Sequence, residues 1–525
     1  MRGLKALLAG AAALALLAGA AEANTLRWGA HRDINSLDPY SFGDTFTLAT
    51  LNHVYEGLVR YDDKLEIEPA LAESWTVADD GVTWRFKLRQ GVTFHDGSPF
   101  TADDVLASLA RVSHETSPLK GNLPAYKSSA KVDDHTVDIV VNTTYPLLLN
   151  DLTNIFIFDK EWLVANNAEL PTDSAKGIEG YPTTHANGTG PFMVESRQPD
   201  AKTTFVVNPE WWDTPRHNLT RIEFTPISSA ATRVAALLSG EVDFLNVAPL
   251  QDLPRLEASP DVKVLQATEL RSLFFAFNLK DELVESDVTG KNPFKDKNVR
   301  QAVYQALNMD QIQKRTMRGL SRNTGALVAP AIPGYTPEQD ERLPFDADKA
   351  KALLAEAGYP EGFSFRLLCM NDSLVNEEEI CQAASSMWSR VGLKPVLNIG
   401  PSSVQRPKRS AGEFDVLIFG WANEPMIDAY SILVQVLHSN SGTAGVFNFG
   451  DWGDPRIDAL TDKAATEMDR SKRIPLMAEA LQVAKDDILF VPLHQQPMAW
   501  ATSKKVESMV QLSDNKPRLW YTKMN

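Results

Sequence analysis

Two short motifs in the chain match the residue pattern of a serine acyl-transfer enzyme. Residues 117–120 (SPLK) have the Ser-x-x-Lys spacing, and residues 513–515 (SDN) match the second motif of penicilloyl-serine enzymes. That chemistry needs a serine at the start of a helix, with the lysine one turn later. Pro118, Gly121 and Pro124 predict a loop instead, and no Lys-Thr-Gly motif follows residue 515. We therefore interpret both matches as structural.

No other pattern in the sequence points to catalysis. Zinc-protease, Cys-x-x-Cys, phosphate-loop, dinucleotide-binding and nucleophile-elbow motifs are all missing, and the nine histidines show no metal-ligand spacing. Acidic pairs such as 79–80 and 133–134 lie in predicted turns, where solvated aspartates are common. We therefore expect a protein that is not an enzyme, and we expect no cofactor and no metal.

The elements that must position any binding site alternate between short strands and amphipathic helices. Residues rich in β-branched and aromatic side chains predict strands at 25–30, 84–88 and 137–141. Caps and helical spacing of apolar residues predict helices at 101–111, 229–239, 296–307, 347–357 and 474–488. This alternation indicates an α/β protein.

Length and charge limit the class of protein further. A chain of 525 residues is too long for a single core, so two to three domains are expected. The formal charge of −16 argues against a nucleic-acid partner. No Gly/Ser-rich or Pro-rich tether occurs, and candidate domain crossings are the turn 187–191 and strands at 271–279 and 495–501. Two crossings that far apart in sequence predict a hinge.

The first residues have the pattern of a cleavable export signal. Arg2 and Lys5 precede an apolar run at 6–20, and the small-x-small sequence 21–23 follows. The alternative, a transmembrane anchor, requires a longer apolar run. We predict a signal peptide at residues 1–23, a mature chain from Asn24 and a periplasmic location without membrane insertion. Because no cysteine precedes Cys369, we do not expect a lipoprotein.

The two cysteines form a candidate disulfide. Cys369 ends a predicted strand at 363–370, and Cys381 lies early in a predicted helix at 376–390. An oxidising compartment allows the pair to bond. Two buried free thiols are the alternative, because spacing alone does not show whether the Cβ atoms meet.

One long segment carries a family resemblance. Residues 69–105 read PALAESWTVADDGVTWRFKLRQGVTFHDGSPFTADDV. This segment resembles the signature of bacterial extracellular solute-binding protein family 5, the peptide/nickel-type binding proteins of ABC importers. Shorter family-like segments follow in the same order across the mature chain, at 35–39, 54–58, 188–192, 275–278, 293–294, 299–303, 420–421 and 491–493.

The resemblance implies an α/β, two-lobed periplasmic-binding-protein fold of type II, the large peptide-binding class, with an extra subdomain. Lobe I is expected to comprise residues 24–56, 187–270 and 497–525, with the extra subdomain inserted at 57–186. Lobe II is expected at 271–496. A monomer of this kind captures a peptide or other amine-bearing solute between its lobes and delivers it to the transmembrane subunits of an ABC permease with an ATPase.

The resemblance also suggests which residues contact the ligand. In peptide-binding relatives an acidic residue three places after the Gly-Trp tryptophan binds the ligand α-ammonium, and here that residue is Glu424. Family members usually have Asp at this position. A surface-loop acid is the alternative for Glu424. Trp421 is expected either to form an apolar wall against the ligand or to pack in the core, and Asn423 lies in the same loop.

Further candidates lie at two other places in the chain. The family loop near residue 40 reaches the cleft, which makes Phe42, Asp44 and Thr45 candidate ligand contacts. Arg271 could donate two hydrogen bonds to a ligand carboxylate, or it could form a salt bridge between the lobes. The basic cluster at 406–409 is interpreted as a solvated loop, with the mouth of a cleft for an anionic ligand as the alternative.

The ligand class stays open at this point. The residues after Glu424 differ from the usual family sequence, which puts an ordinary peptide in question. The alternatives are a non-peptide solute (an opine, glutathione, a metal chelate, haem or a sugar) and a chemosensory role in which the protein docks on a receptor.

Overall fold

The computed structural model describes residues 24–41, 45–172, 178–424 and 426–525. Its strands are β1 Thr25–Ala30, β2 Val59–Tyr61, β3 Ile67–Pro69, β4 Ala72–Val77, β5 Thr83–Leu88, β6 Tyr126–Asp133, β7 Thr136–Val141, β8 Phe192–Gln198, β9 Lys202–Val207, β10 Arg221–Pro226, β11 Phe244–Leu245, β12 Val262–Phe277, β13 Arg322–Asn323, β14 Ser364–Met370, β15 Lys394–Gly400, β16 Val416–Trp421, β17 Phe490–Ser503, β18 Val506–Ser508 and β19 Lys523–Met524. The predicted signal peptide, Phe42 and Asp44 lie outside the described residues.

The α-helices are α1 Thr45–Leu51, α2 Ala102–Ser113, α3 Leu148–Leu152, α4 Lys160–Ala165, α5 Ala230–Ser239, α6 Leu253–Glu257, α7 Lys297–Gln305, α8 Met309–Gln311, α9 Pro337–Asp340, α10 Ala347–Glu356, α11 Glu377–Ser389, α12 Ser402–Ser410, α13 Tyr430–Ile432, α14 Pro455–Thr466 and α15 Arg470–Asp486. Two π-helical turns follow α8 and α13, at Ile312–Thr316 and Leu433–Leu437. Short 3₁₀ turns lie at Lys120–Asn122, Tyr181–Thr183, Leu250–Asp252, Pro293–Lys295 and Leu519–Tyr521.

The largest sheet is mixed and joins distant parts of the sequence. Its strands follow the order β15-β14-β16-β12-β17-β11-β1-β10-β9-β8, with β13 added beside β17. At its centre β12 and β17 pair antiparallel along most of their length, from Val262 opposite Ser503 to Ala276 opposite Phe490. These are the two strands that the sequence predicts as domain crossings. Because they pair with each other, one bend in this ribbon can move both ends of the sheet together.

A separate four-stranded antiparallel sheet, in the order β4-β5-β7-β6, contains both β4 and β5 of the segment that carries the family resemblance. The next helix, α2, begins at Thr101, as predicted. Its capping box is formed by the Thr101 side chain and Asp104, whose carboxylate accepts hydrogen bonds from the Thr101 backbone and hydroxyl. On its last turn the buried Arg111 makes two hydrogen bonds, at 2.9 and 2.8 Å, to Asp38. This ion pair ties the sheet's helix to the N-terminal segment.

Three hydrophobic clusters form the core. One joins the N-terminal half to the last strands and includes Trp28, Phe158 and Trp500. The second contains Phe275 and Trp388, and the third contains Phe274 and Trp452. Phe274 and Phe275 are neighbours on β12 whose side chains enter different clusters, as expected for successive residues of a strand. The exact lobe boundaries given above remain a prediction.

Local helix signals in the sequence are confirmed at several ends. Ser229 caps α5 by accepting a hydrogen bond from the Thr232 amide, and Gly240 ends it with a φ of 76°. One local prediction is wrong: residues 406–409 are not a loop but form the last turns of α12. Pro407 is the sixth residue of this helix, where its missing N–H removes one backbone hydrogen bond. The neighbouring Gln405 is buried and donates hydrogen bonds to the backbone and side-chain oxygens of Asn398. In the part of the chain described here, no helix is both long and apolar enough to cross a membrane.

Candidate ligand-binding cleft

A cavity of about 860 Å³ lies over the middle of the paired crossing strands, and we call it the central cavity. Strand β11 ends at Leu245, opposite Ala501 of β17, while β16 ends at Trp421, opposite Ser272 of β12. The carboxyl ends of β11 and β16 therefore approach this ribbon from its two ends. The loops that follow them, 246–251 and 422–424, line the cavity together with residues 496–499 of β17 between them.

The floor of the central cavity lies at an irregularity in the β12–β17 ladder. Regular pairing stops at Thr268 and resumes at Ser272. The interruption contains Glu269 and Arg271, which lie two residues apart on one face and both line the cavity. A strand that leaves its ladder in this way can present charged side chains to a cleft without breaking the sheet.

Glu424 lies in the wall of the central cavity and is the most distinctive charge there. Its side chain is only 10% exposed. Its nearest cation is the Lys516 ammonium, 3.6 Å away, which is beyond hydrogen-bonding distance. Among the described residues no donor hydrogen-bonds to this carboxylate. Burying a carboxylate without hydrogen-bond donors is energetically costly.

The electrostatic surroundings of Glu424 are unusual as well. Burial raises the pKa of Glu424 to about 8; Lys516 and Arg271 oppose the shift, while the charges of Asp514 and Glu269 add to it. The raised pKa favours the protonated form of this carboxyl group near neutral pH in the unliganded protein. A cation that entered the cavity beside it would favour the ionised form and expel that proton.

The two neighbouring carboxylates are already bound by the protein. Burial alone would raise the pKa of Asp514, but Arg518 lowers it below its ordinary value and makes two hydrogen bonds to it, at 3.0 and 2.7 Å. Glu269 accepts a 2.5 Å hydrogen bond from Gln496 and lies 3.5 Å from Arg271. Glu424 differs from both, because it alone of the three has no hydrogen-bond donor among the described residues.

Trp421 packs against the core and also lines the central cavity, while its contact with a ligand stays a prediction. Its indole nitrogen donates a 3.0 Å hydrogen bond to the Ser431 hydroxyl, and its ring packs edge-on against Phe447 at 5.2 Å. The ring also packs against the third hydrophobic cluster. It is half-buried and lines the central cavity, so it is an anchored aromatic wall.

Asn423 is fully buried in the same loop. It has a φ of 49°, a left-handed backbone conformation that asparagine tolerates. Neither its amide nitrogen nor its amide oxygen has a hydrogen-bond partner among the described residues. Asn423 belongs to the lining of the central cavity, and its contact with a ligand stays a prediction.

Two of the four remaining candidate ligand contacts, Thr45 and Arg271, lie within the described residues. Thr45 is the first residue of α1; it is exposed and lines the central cavity. Arg271 also lines it and lies 3.5 Å from Glu269 on its own strand, so its charge is partly matched within one strand. Phe42 and Asp44 lie outside the described residues, and their role stays a prediction.

A disulfide-closed loop forms another part of the wall. Cys369 and Cys381 are bonded, with their Cα atoms 6.7 Å apart. Between them, Met370 and residues 373–377 line the central cavity. Glu377 accepts backbone hydrogen bonds from Met370 at 2.6 Å and Leu374 at 3.2 Å, which holds the loop in shape. Burial raises the pKa of Glu377 to about 7.

Sequence reasoning missed several cavity residues. Lys516, which contacts Glu424, comes from the C-terminal tail, about ninety residues further along the chain, and no local pattern connects the two. Asp514 belongs to the Ser-Asp-Asn match, which is indeed structural: Asp514 binds Arg518, and Asn515 accepts a hydrogen bond from Trp500. Asp514 and Arg518 lie in a turn and irregular chain, where a four-residue spacing does not bring side chains together as it does on a helix, so no sequence signal indicates this ion pair.

Comparisons with known proteins agree on one family. The chain is 29% identical over 488 residues to haem-binding protein A of Haemophilus influenzae, covering 88% of this chain and 85% of that protein. It is 27% identical over 485 residues to the glutathione-binding protein GsiB of Escherichia coli (strain K12), covering 90% and 89%. The solved structure of HbpA2 from Haemophilus parasuis superposes with a TM-score of 0.82 at 26% identity, covering 96% of this chain and all of that one.

These likenesses extend over the whole fold. The structural neighbours are two-lobed binding proteins, so the mixed α/β architecture with a large mixed sheet is the two-lobed fold that the resemblance implied. The model of the family called bacterial extracellular solute-binding proteins, family 5, matches residues 66–444. The chain belongs to the bacterial extracellular solute-binding proteins of family 5.

Proposed function

We propose that this chain is the periplasmic substrate-binding protein of an ABC importer and that it captures a small amine-bearing solute, a peptide or a peptide-like molecule. The lobes close on the solute because it contacts both of them, and the closed form docks on a permease that an ATPase drives. The role is capture and delivery without bond-making. Family membership supports this role, and the periplasmic location rests on relatives and on the export signal at residues 1–23.

The observation that carries the proposal is the environment of Glu424. Its buried carboxylate lines the central cavity and has no hydrogen-bond donor among the described residues, next to two acidic residues that already have partners. A ligand ammonium supplies three donors and a positive charge at that point. The apolar face of Trp421 and the unpaired amide of Asn423 add a wall and a polar contact for the rest of the molecule.

Glutathione is one specific candidate for this solute. It carries one ammonium and two carboxylates, and the chain is similar to glutathione-binding proteins over about nine-tenths of its length. A neutral sugar fits less well, because it offers no cation to the Glu424 carboxylate. Native mass spectrometry of protein purified from periplasm would identify any solute that the chain retains.

The ammonium site can be tested with matched variants and matched probes. Calorimetry would compare L-alanyl-L-glutamine and glutathione with their N-acetylated forms on wild-type protein and on Glu424→Gln, Glu424→Asp and Glu507→Gln. Loss of a charge-assisted hydrogen bond should weaken amine binding roughly 10- to 100-fold in Glu424→Gln and less in Glu424→Asp. Glu507 is exposed on β18, so its variant controls for loss of one charge. Equal binding of free and acetylated probes would contradict the proposal.

A further inference from the structure

Lys516 is a buried cation that lies close to Glu424 without being hydrogen-bonded to it. Its side chain is 11% exposed, and its ammonium nitrogen lies 3.6 Å from the nearer Glu424 oxygen, beyond hydrogen-bonding distance. Among the described residues the ammonium makes no hydrogen bond to any other acceptor either. The neighbouring Asp514 carboxylate is already held by Arg518. Leaving this position would therefore cost Lys516 no hydrogen bond.

A second, much smaller cavity lies next to Lys516, and we call it the small cavity. Its volume is about 30 Å³, and Lys516 lines it. The chain neighbours Asn515 and Pro517 line the central cavity instead, so this stretch of chain separates the two cavities. A volume of this size holds about two water molecules. It is therefore large enough to receive an ammonium group.

The lining of the small cavity offers acceptors for such a group. Asn52, just after α1, and Asn154, just after α3, both contribute to this lining. Neither side-chain amide forms a hydrogen bond to another described residue, although Asn154 is only 8% exposed. Buried polar groups in proteins nearly always have a partner, either protein or water. The amide oxygens of these two residues can accept hydrogen bonds from an ammonium.

The charges at the small cavity also favour a cation. Arg60, in its lining, lies 3.9 Å from Glu56, 2.7 Å from Glu68 and 2.6 Å from Asp213, so one cation faces three carboxylates. Glu56 lines the cavity as well; burial raises its pKa, and the charge of Arg60 opposes that shift. The other arginine of the lining, Arg518, has its own carboxylate partner. An additional cation is therefore attracted to this place.

A ligand ammonium at Glu424 would be the second cation beside one carboxylate, and like charges repel strongly in a buried site. We propose that Lys516 is an exchangeable counter-ion, which lies beside Glu424 in the unliganded protein and moves into the small cavity when a ligand ammonium takes its place. This inference rests on the proposed function. The movement carries one charge from the ligand site towards Asn154, which belongs to the segment predicted as the extra subdomain.

Crystal structures of the mature chain with and without L-alanyl-L-glutamine test the movement directly. Without the probe, the Lys516 nitrogen should lie beside Glu424. With the probe bound, the probe ammonium should hydrogen-bond to Glu424, and the Lys516 nitrogen should lie in the small cavity, hydrogen-bonded to Asn52 or Asn154. A Lys516 nitrogen that stays beside Glu424 together with the probe ammonium would overturn this inference and leave the proposed ammonium site intact. A probe ammonium bound elsewhere, or no binding of the probe, would overturn both.

Calorimetry with the same probe tests whether the small cavity matters for binding. Asn154→Leu removes an acceptor and fills part of the cavity, so it should weaken binding roughly tenfold, as expected for a lost hydrogen bond to a charged group. In the Lys516→Met background the same substitution should weaken binding by less than about twofold, because no lysine is left to be displaced. Asn142→Leu is the matched control, since Asn142 is exposed and lines neither cavity.

The comparison between the two backgrounds separates this role from a structural one. A purely structural effect of Asn154→Leu would weaken binding equally with and without Lys516, and that result would overturn the inference. An unchanged affinity in Asn154→Leu, with Lys516 present, would overturn it as well. If Asn154→Leu fails to fold, Asn154→Ser replaces it in the same comparison.

Discussion

Lowering the pH from 7 to 6 should weaken binding of an ammonium-bearing solute about tenfold, and Glu424 is the reason. Its pKa of about 8 in the unliganded protein means that most molecules hold a proton there at either pH. The ammonium requires the ionised carboxylate, so each unit of pH below 8 should cost about 1.4 kcal/mol of binding free energy. Above pH 8 the affinity should not increase further, because Glu424 is then ionised and the α-ammonium, with a pKa of about 7.7–8.0, loses its own proton.

The same reasoning gives the number of protons released. At pH 6.5 a carboxyl group with this pKa is almost fully protonated and the ligand ammonium almost fully charged, so binding should release about 0.9 of a proton. Calorimetry in buffers with different ionisation enthalpies measures this number as the slope of the observed binding enthalpy. L-alanyl-L-glutamate and glutathione are suitable probes.

Glu424→Gln provides the control, because it cannot release a proton. A slope near zero in wild-type protein, or the same slope in Glu424→Gln, would refute the assignment of the ammonium to this carboxylate. Lys516→Met sharpens the test. Lys516 lowers the pKa of Glu424, so its removal should raise that pKa further and move the affinity loss to higher pH.

Two further predictions concern stability. Replacing both Cys369 and Cys381 by Ala should lower the free energy of unfolding by about 3 kcal/mol in a urea titration. The same variant should bind the probes more weakly, because the loop between the two residues lines the central cavity. Unchanged affinity would show that the loop keeps its shape without the disulfide. Arg111→Met should lower the free energy of unfolding by about 3–5 kcal/mol, because it leaves the buried Asp38 carboxylate without its cation. The double variant Arg111→Met/Asp38→Asn should recover part of that loss. A single variant as stable as wild type would contradict this account.

Local structure was largely predictable from the sequence. Capping residues and helix-ending glycines act on the backbone within a few residues of themselves. Thr101, Ser229 and Gly240 therefore indicate helix ends regardless of the rest of the fold. The basic cluster at 406–409 was the exception. Its charges and Pro407 suggest a solvated loop, but the segment is helical, with Gln405 buried and Arg409 over the rings of Phe419 and Phe449.

The family resemblance is likewise a property of the sequence, because the segment at 69–105 can be recognised from the order of its residues alone. It identified Glu424 and Trp421 as cleft residues, and both line the central cavity. The environment of Glu424 is a different matter. Whether a carboxylate is anchored, neutralised or left without donors depends on groups brought together from distant positions, here Lys516 and Glu269.

The sequence by itself therefore determined the α/β class, several helix ends and the family, and it predicted which residues contact the ligand. Only the tertiary structure decided that β12 and β17 pair with each other and that, among the described residues, no donor forms a hydrogen bond to Glu424. The physical reason is the distance over which each interaction acts. Propensity and capping act over a few residues, whereas burial and Coulomb interactions depend on distances in space that the order of residues does not fix.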